Sequence, residues 1–183
     1  LDGSIRPVKG ALSIAIQARA DHYEGLIVPK ANEREAAVVN NLKVYGAERL
    51  SDVVAFFNGT ADALQQTIVN TREEFYQAQI NTPYDFSDVK GQEAVKRAFE
   101  VAAAGGHNIL IVGSPGCGKS MMAKRIPSIL PQLTLGESLE TTQIHSVAGS
   151  LESTTSLISQ RPFRSPHHTI SDVALIGGGT TCK

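Results

Sequence analysis

The sequence predicts an α/β fold, and three observations carry that prediction. Residues 1–58 alternate strand signals with helical patterns. A continuous apolar run at 108–112 leads straight into a glycine-rich loop. A helical pattern then follows the loop without a gap.

Taken in order, residues 5–8 read as a short extended piece. Residues 10–20 read as a helix, with Leu12, Ile14, Ala15 and Ile16 supplying its apolar face. The run 25–29 is apolar and closed by Pro29, which predicts a buried strand. Asn32 with Glu35 three residues on has capping-box spacing, and 36–39 continue that helix. A second strand is expected at 42–46. Ser51 is placed to cap a helix over 52–58, ended by Gly59. The stretch 60–85 turns polar, with Gln65, Gln66, Glu73, Glu74, Gln77 and Gln79 ahead of Pro83. It reads as a connector, partly helical around 72–78, separating a first domain (1–59) from a second (86–183). There, 92–104 form a helix ended by Gly105-Gly106. Residues 108–112 form a central parallel strand, and 121–130 form a helix up to Pro131.

Composition narrows the function. The 183 residues carry 17 Lys+Arg against 18 Asp+Glu, a formal net charge of -1. That balance excludes a histone-like chain whose whole surface binds nucleic acid, but leaves room for a local basic loop. Two cysteines, Cys117 and Cys182, make no disulfide framework and have no metal-ligand spacing, which points to a reducing compartment. No run approaches the roughly 18 apolar residues of a bilayer span, and the first 30 residues have no signal-peptide pattern. A soluble, cytoplasmic chain with no membrane contact is expected. Leu1 is not a start methionine and residues 177–183 close no element, so the sequence reads as an internal piece of a longer protein.

The most informative residues are Gly113-Ser114-Pro115-Gly116-Cys117-Gly118-Lys119-Ser120, which fit GxxxxGK[ST]. Glycines let the chain turn so that successive N–H groups cradle phosphates. The following helix adds the positive end of its dipole. Lys119 is the candidate catalytic residue, reaching the β- and γ-phosphates of ATP, and the Ser120 hydroxyl is placed to ligate Mg²⁺. Cys117 occupies a variable position as a small filler; a redox role is the alternative.

On these residues the chain resembles the magnesium-chelatase-like branch of the AAA+ ATPases, and most closely the ComM/YifB subfamily. The other carrying blocks are residues 86–93 (Phe86-Ser87-Asp88-Val89-Lys90-Gly91-Gln92-Glu93), 102–108, 144–149, 161–169 and 174–179. The resemblance implies a P-loop AAA+ core with a parallel sheet, and an adenine bordered by Val89 (an apolar contact) and Gly91 (a backbone hydrogen bond). Asp88 is compatible with a bland reading as the cap of the helix beginning near Gln92. Residues 1–59 resemble the C-terminal half of a Lon-protease-like, ribosomal-S5-like domain, on 3–8 and 26–32. The lysine expected of a Lon peptidase falls on Leu12, which cannot act as a base, so peptidase activity is not expected. No acidic pair after an apolar strand follows the loop, so this piece is expected to bind Mg-ATP without efficient turnover.

Arg161, Arg164, His167 and His168 form a cationic, proline-punctuated patch. It reads either as a surface facing a phosphate backbone or neighbouring subunit, or as a solvated loop whose histidines satisfy local carbonyls. His22, His107 and His145 read as structural. The resemblance implies a pore hairpin inserted at about 177–179, a hexamer, and a DNA branch-migration motor acting in recombination. The alternative is an ATPase subunit of a metal-insertion complex.

Overall fold

The computed structural model describes residues 2–60, 62–80, 84–151, 155–167 and 169–170. It is α/β, with several helices around a small mixed sheet. Strands β1 (Gly25–Pro29) and β2 (Lys43–Ala47) pair in parallel, Leu26 opposite Val44. A short β3 (Gln66–Thr67) adds antiparallel to β2. Helices α1 (Ala11–Ala20) and α2 (Glu33–Ala37) cover one face, and α2 lies on the crossover that a parallel pair requires. Leu12, Ala15, Ala36 and Val44 are fully buried between these layers. No helix among the described residues is long and apolar enough to cross a membrane.

Two caps differ from expectation. Asn32 makes no side-chain cap on α2; its amide donates to Val8 O (2.9 Å) and Glu35 Oε2 (3.1 Å), and its Oδ1 accepts from Val8 N–H. Both side chains are buried, so they turn inward to serve a neighbouring segment rather than their own helix. The third helix, α3 (Leu50–Phe57), begins before Ser51. Asp52 accepts the Arg49 N–H at 3.0 Å, while the Ser51 hydroxyl bonds only to Asp52. Gly59 does end this helix, at φ 77°, with Thr60 N–H on Ala55 O.

The polar stretch 60–85 supplies β3 and α4 (Thr71–Ile80). Phe75 enters the first core, and the polar side chains brace α4 from several sides. Glu74 pairs with Arg34 at 2.7 Å and accepts from Ser156. Gln79 donates to Leu133 O (3.0 Å), Gln160 donates to Ala78 O (3.2 Å), and Thr71 donates to Val38 O (2.9 Å). These polar residues cross-link elements distant in sequence.

Beyond it come α5 (Glu93–Gly105), α6 (Lys119–Ala123), α7 (Ile126–Ile129) and α8 (Leu135–Ala148). A second core gathers Phe86, Val89, Phe99 and Met122, with the Phe86 and Phe99 rings edge-on at 5.6 Å. The single helix expected at 121–130 is instead α6 and α7. It starts at Lys119 and breaks near Arg125, because Pro127 has no N–H to continue the ladder. The strand expected at 108–112 is not formed. A parallel strand pairs only across a crossover to another strand, and among the described residues after 112 there are helices and loops alone. Ile111 packs on the second core while Leu110 and Val112 are 89% and 86% exposed.

Helix α8 returns to the first core. A capping box starts it: the Thr134 hydroxyl accepts Glu137 N–H, and Glu137 Oε2 accepts Thr134 N–H at 2.7 Å. These donations hold the Glu137 carboxyl below the usual range. Its buried side is a stripe of small hydroxyls, Ser138, Thr142 and Ser146, with the 157–159 segment bonded to it through Ile158 N–H on Thr142 Oγ1 (2.8 Å). At its far end Ser146 donates to Glu35 Oε1, which also accepts Leu12 N–H at 3.0 Å, and Ser146 O accepts Gly10 N–H at 3.2 Å. Glu35 thus supplies the acceptor for the first turn of α1 that Gly10, lacking a side chain, does not.

Candidate functional site

The glycine-rich loop lies between the 108–112 run and α6. Gly116 and Gly118 hold φ of 80° and 86°, the left-handed region in which a Cβ is strained, so both turns of the loop need glycine. A Cβ on Gly113 would lie 2.9 Å from Cys117 Sγ, so close packing also keeps that position bare. The first backbone bond of α6 runs from Met122 N–H to Gly118 O at 2.9 Å. The amides of Lys119 and Ser120 therefore stand outside the helical ladder.

Lys119 is folded back on the loop. Its Nζ donates to Gly113 O (2.8 Å) and Ser114 O (2.7 Å) and lies 3.5 Å from Cys117 Sγ. Among the described residues it forms no salt bridge with a carboxylate. An ammonium held only by neutral dipoles at the centre of a loop rich in free amides is the donor set a phosphate chain needs. Ser120 and Cys117 are exposed. Among the described residues no three His, Cys, Asp or Glu side chains gather into a metal site; the oxygens the loop presents are the Ser114 and Ser120 hydroxyls and its carbonyls.

The segment 84–91 is brought against α6 through the second core, Phe86 and Val89 packing with Met122. Val89 is 1% exposed and packs in the same core as Met122 of α6, so its side chain serves the core; Gly91 is exposed, at φ 68°. Asp88 does not cap α5. Its carboxylate accepts Arg125 at 3.1 Å, and α5 starts after Gln92 with no side-chain cap. Ser87 N–H, followed by the Ser87 hydroxyl, holds the Asp85 carboxyl below the usual range. Arg125 escaped the sequence reading. Its signal is an arginine two residues before Pro127, at the end of a helix that starts at Lys119.

The described residues of the cationic patch are differently engaged. Arg161 is committed to structure, its Nε on Pro131 O at 2.8 Å and its Nη2 3.7 Å from Glu137. His167 Nδ1 lies 2.8 Å from Thr169 Oγ1. Arg164 is exposed. His168, the 177–179 glycines and Cys182 lie outside the described residues.

His145 sits in the last turn of α8, and burial, with the Arg164 charge second, pushes its imidazole below the ordinary histidine range. The unfolded chain then holds that proton more tightly than the folded one. Stability from this group is full above the unfolded value and falls as pH drops below it, levelling off past the folded value. Urea midpoints should therefore fall from about pH 7.5 to about pH 5.5 more steeply in the wild type than in His145→Gln. Parallel slopes would contradict the assignment.

The family model described as "Magnesium chelatase, subunit ChlI" matches residues 85–183. The chain is 38% identical over 187 residues to the competence protein ComM of Haemophilus influenzae, covering 100% of this chain and 35% of that protein. It is 41% identical over 179 residues to the uncharacterized protein YifB of Escherichia coli, 98% of this chain and 34% of that one. An uncharacterized protein of Mycobacterium tuberculosis is 42% identical over 181 residues, again 98% of this chain and 35% of the relative. The chain thus spans about a third of the length of the relatives it matches.

Proposed function

The chain belongs to the magnesium chelatase family of AAA+ ATPases, within its ComM/YifB subfamily, and from that premise we propose that it carries the Mg-ATP-binding half of a ring-forming DNA motor. One observation supports the nucleotide reading above the others: Lys119 lies in a loop turned by positive-φ glycines, its ammonium on the Gly113 and Ser114 carbonyls and beside Cys117 Sγ, with no carboxylate partner among the described residues. Bound ATP would supply free energy through hydrolysis of its terminal anhydride.

The residues of this chain bind and orient it. The backbone N–H groups of 113–120, Pro115 having none, would cradle the phosphates, Lys119 would exchange its carbonyl partners for phosphate oxygens, and Ser120 would hold Mg²⁺. Gly91 would offer its backbone to the adenine; Val89, buried in the second core, would anchor that segment rather than touch the base. Residues 1–59 are read as the end of a Lon-like domain acting as a scaffold. Leu12, where that family's lysine would fall, is fully buried and apolar, which supports a role without peptide cleavage.

The DNA reading rests on the relative named a competence protein and on Arg164, an exposed cation of the 161–168 segment. The complete protein would act as a cytoplasmic hexamer, migrating branches during recombination of incoming DNA. The experiment is ATP hydrolysis by the intact protein with and without single-stranded and branched DNA. Strong stimulation by DNA, reduced in Arg164→Ala, is the expected result. Robust hydrolysis indifferent to DNA would move the assignment to a metal-insertion ATPase, which the family model's own description favours.

A further inference from the structure

Arg125 stands between α6, which Lys119 begins, and α7, and its side chain, 15% exposed, is used in four directions. Nε donates to Asp85 O (3.1 Å) and lies 3.3 Å from Asp88 Oδ2; Nη2 donates to the same Oδ2 at 3.1 Å. Nη1 donates to Met121 O at 3.1 Å, one of the carbonyls that the short α6 leaves unpaired. The guanidinium also lies over the Tyr84 ring, 5.4 Å from its centroid. A second strap runs beside it: Phe86 N–H donates to Ser128 Oγ (3.0 Å), whose hydroxyl donates to Arg125 O (2.7 Å).

These bonds tie one rigid helix end to a segment forty residues away in sequence, where a lysine could not serve. A planar fork reaches Asp85 O, Asp88 and Met121 O together; an ammonium on a flexible stem does not hold that geometry. The 84–88 turn, with Val89 and Gly91 directly after it, is thereby fixed against α6, whose other end carries the phosphate lysine. The pull is made at the far end of α6 from the loop, so it sets the spacing between the two sides of the site rather than the shape of the loop.

We propose that Arg125 is a positioning residue that fixes the base side of the nucleotide site, 84–91, in register with the phosphate loop, so that base recognition depends on it and phosphate capture does not. This rests on the nucleotide reading above. The same device gives the site its selectivity among nucleoside triphosphates, because a base is discriminated only where backbone groups are held at fixed distance from the anchored phosphates.

The test is to titrate ATP, GTP and inorganic tripolyphosphate, each with Mg²⁺, into the intact protein as wild type, Arg125→Gln, Arg125→Lys and Asp88→Asn. Arg125→Gln should lose about tenfold in ATP affinity and narrow the ATP-to-GTP ratio, with tripolyphosphate affinity unchanged. Arg125→Lys should recover little of this, and Asp88→Asn, which keeps an acceptor oxygen, should lose less. The Arg125→Gln/Asp88→Asn double variant should be no worse than Arg125→Gln alone, because both act through one contact. Equal losses for ATP and tripolyphosphate, or no loss in either, overturn the proposal while leaving the nucleotide site in place. A wild type that binds neither ligand overturns the nucleotide reading and this proposal with it.

Discussion

Replacing Lys119 with alanine is expected to lower Mg-ATP affinity by at least about 100-fold and to leave the fold intact. The magnitude follows from what is lost. Two or more charge-assisted hydrogen bonds to phosphate, each worth about 1.5–3 kcal/mol, disappear together, at about 1.4 kcal/mol per tenfold. Stability is spared because the ammonium holds nothing but Gly113 O, Ser114 O and the neighbouring thiol, in a largely exposed loop where water can replace it. Calorimetric titration of Mg-ATP, with thermal unfolding of the same samples, checks both halves. Unchanged affinity, or a collapsed melting transition, contradicts the account.

The second large effect lies far from the loop. Glu35→Ala is expected to destabilise the protein by about 3–4 kcal/mol, because a buried acceptor vanishes and three donors lose it at once. These are the Leu12 N–H, the Asn32 amide and the Ser146 hydroxyl, and the glutamate itself is only 7% exposed. Glu35→Gln keeps an acceptor oxygen and should cost about 1 kcal/mol. Urea unfolding of the two variants decides it. An alanine variant within about 0.5 kcal/mol of wild type would show that the network carries no weight.

Much of this was legible in the residues. The 25–29 and 43–47 strands announce themselves as apolar runs between turn residues, and Gly59 ends α3 as its position demands. The glycine turns of the 113–120 loop were legible, because Gly116 and Gly118 answer to backbone angles that glycine adopts most cheaply. What failed were inferences that assigned polar residues to their nearest neighbours in sequence. Asn32 and Glu35 look like a local cap, yet they serve Val8 and Leu12 across the fold. Asp88 looks like a cap for α5 and is instead the partner of Arg125, thirty-seven residues on.

Helix α8 inverts the usual pattern, which explains why periodicity did not expose its role. It buries Ser138, Thr142 and Ser146 and leaves Ile144 and Val147 exposed, so an apolar-face rule points the wrong way. Its Thr134-to-Glu137 capping box was nevertheless readable. The run 108–112 shows the opposite limit. Its composition is that of a buried strand, but strand formation needs a partner, and pairing is a property of the assembled sheet rather than of five residues.

The measurement that tests the central claim most directly is a structure of the intact protein with Mg²⁺ and a non-hydrolysable ATP analogue. The account predicts the triphosphate within the 113–120 loop, Lys119 Nζ moved from Gly113 O and Ser114 O onto phosphate oxygens, Ser120 Oγ on the metal, and the Arg125–Asp88 contact retained. A nucleotide bound elsewhere, or a loop in which Lys119 keeps its two carbonyls with the analogue present at saturation, would contradict it.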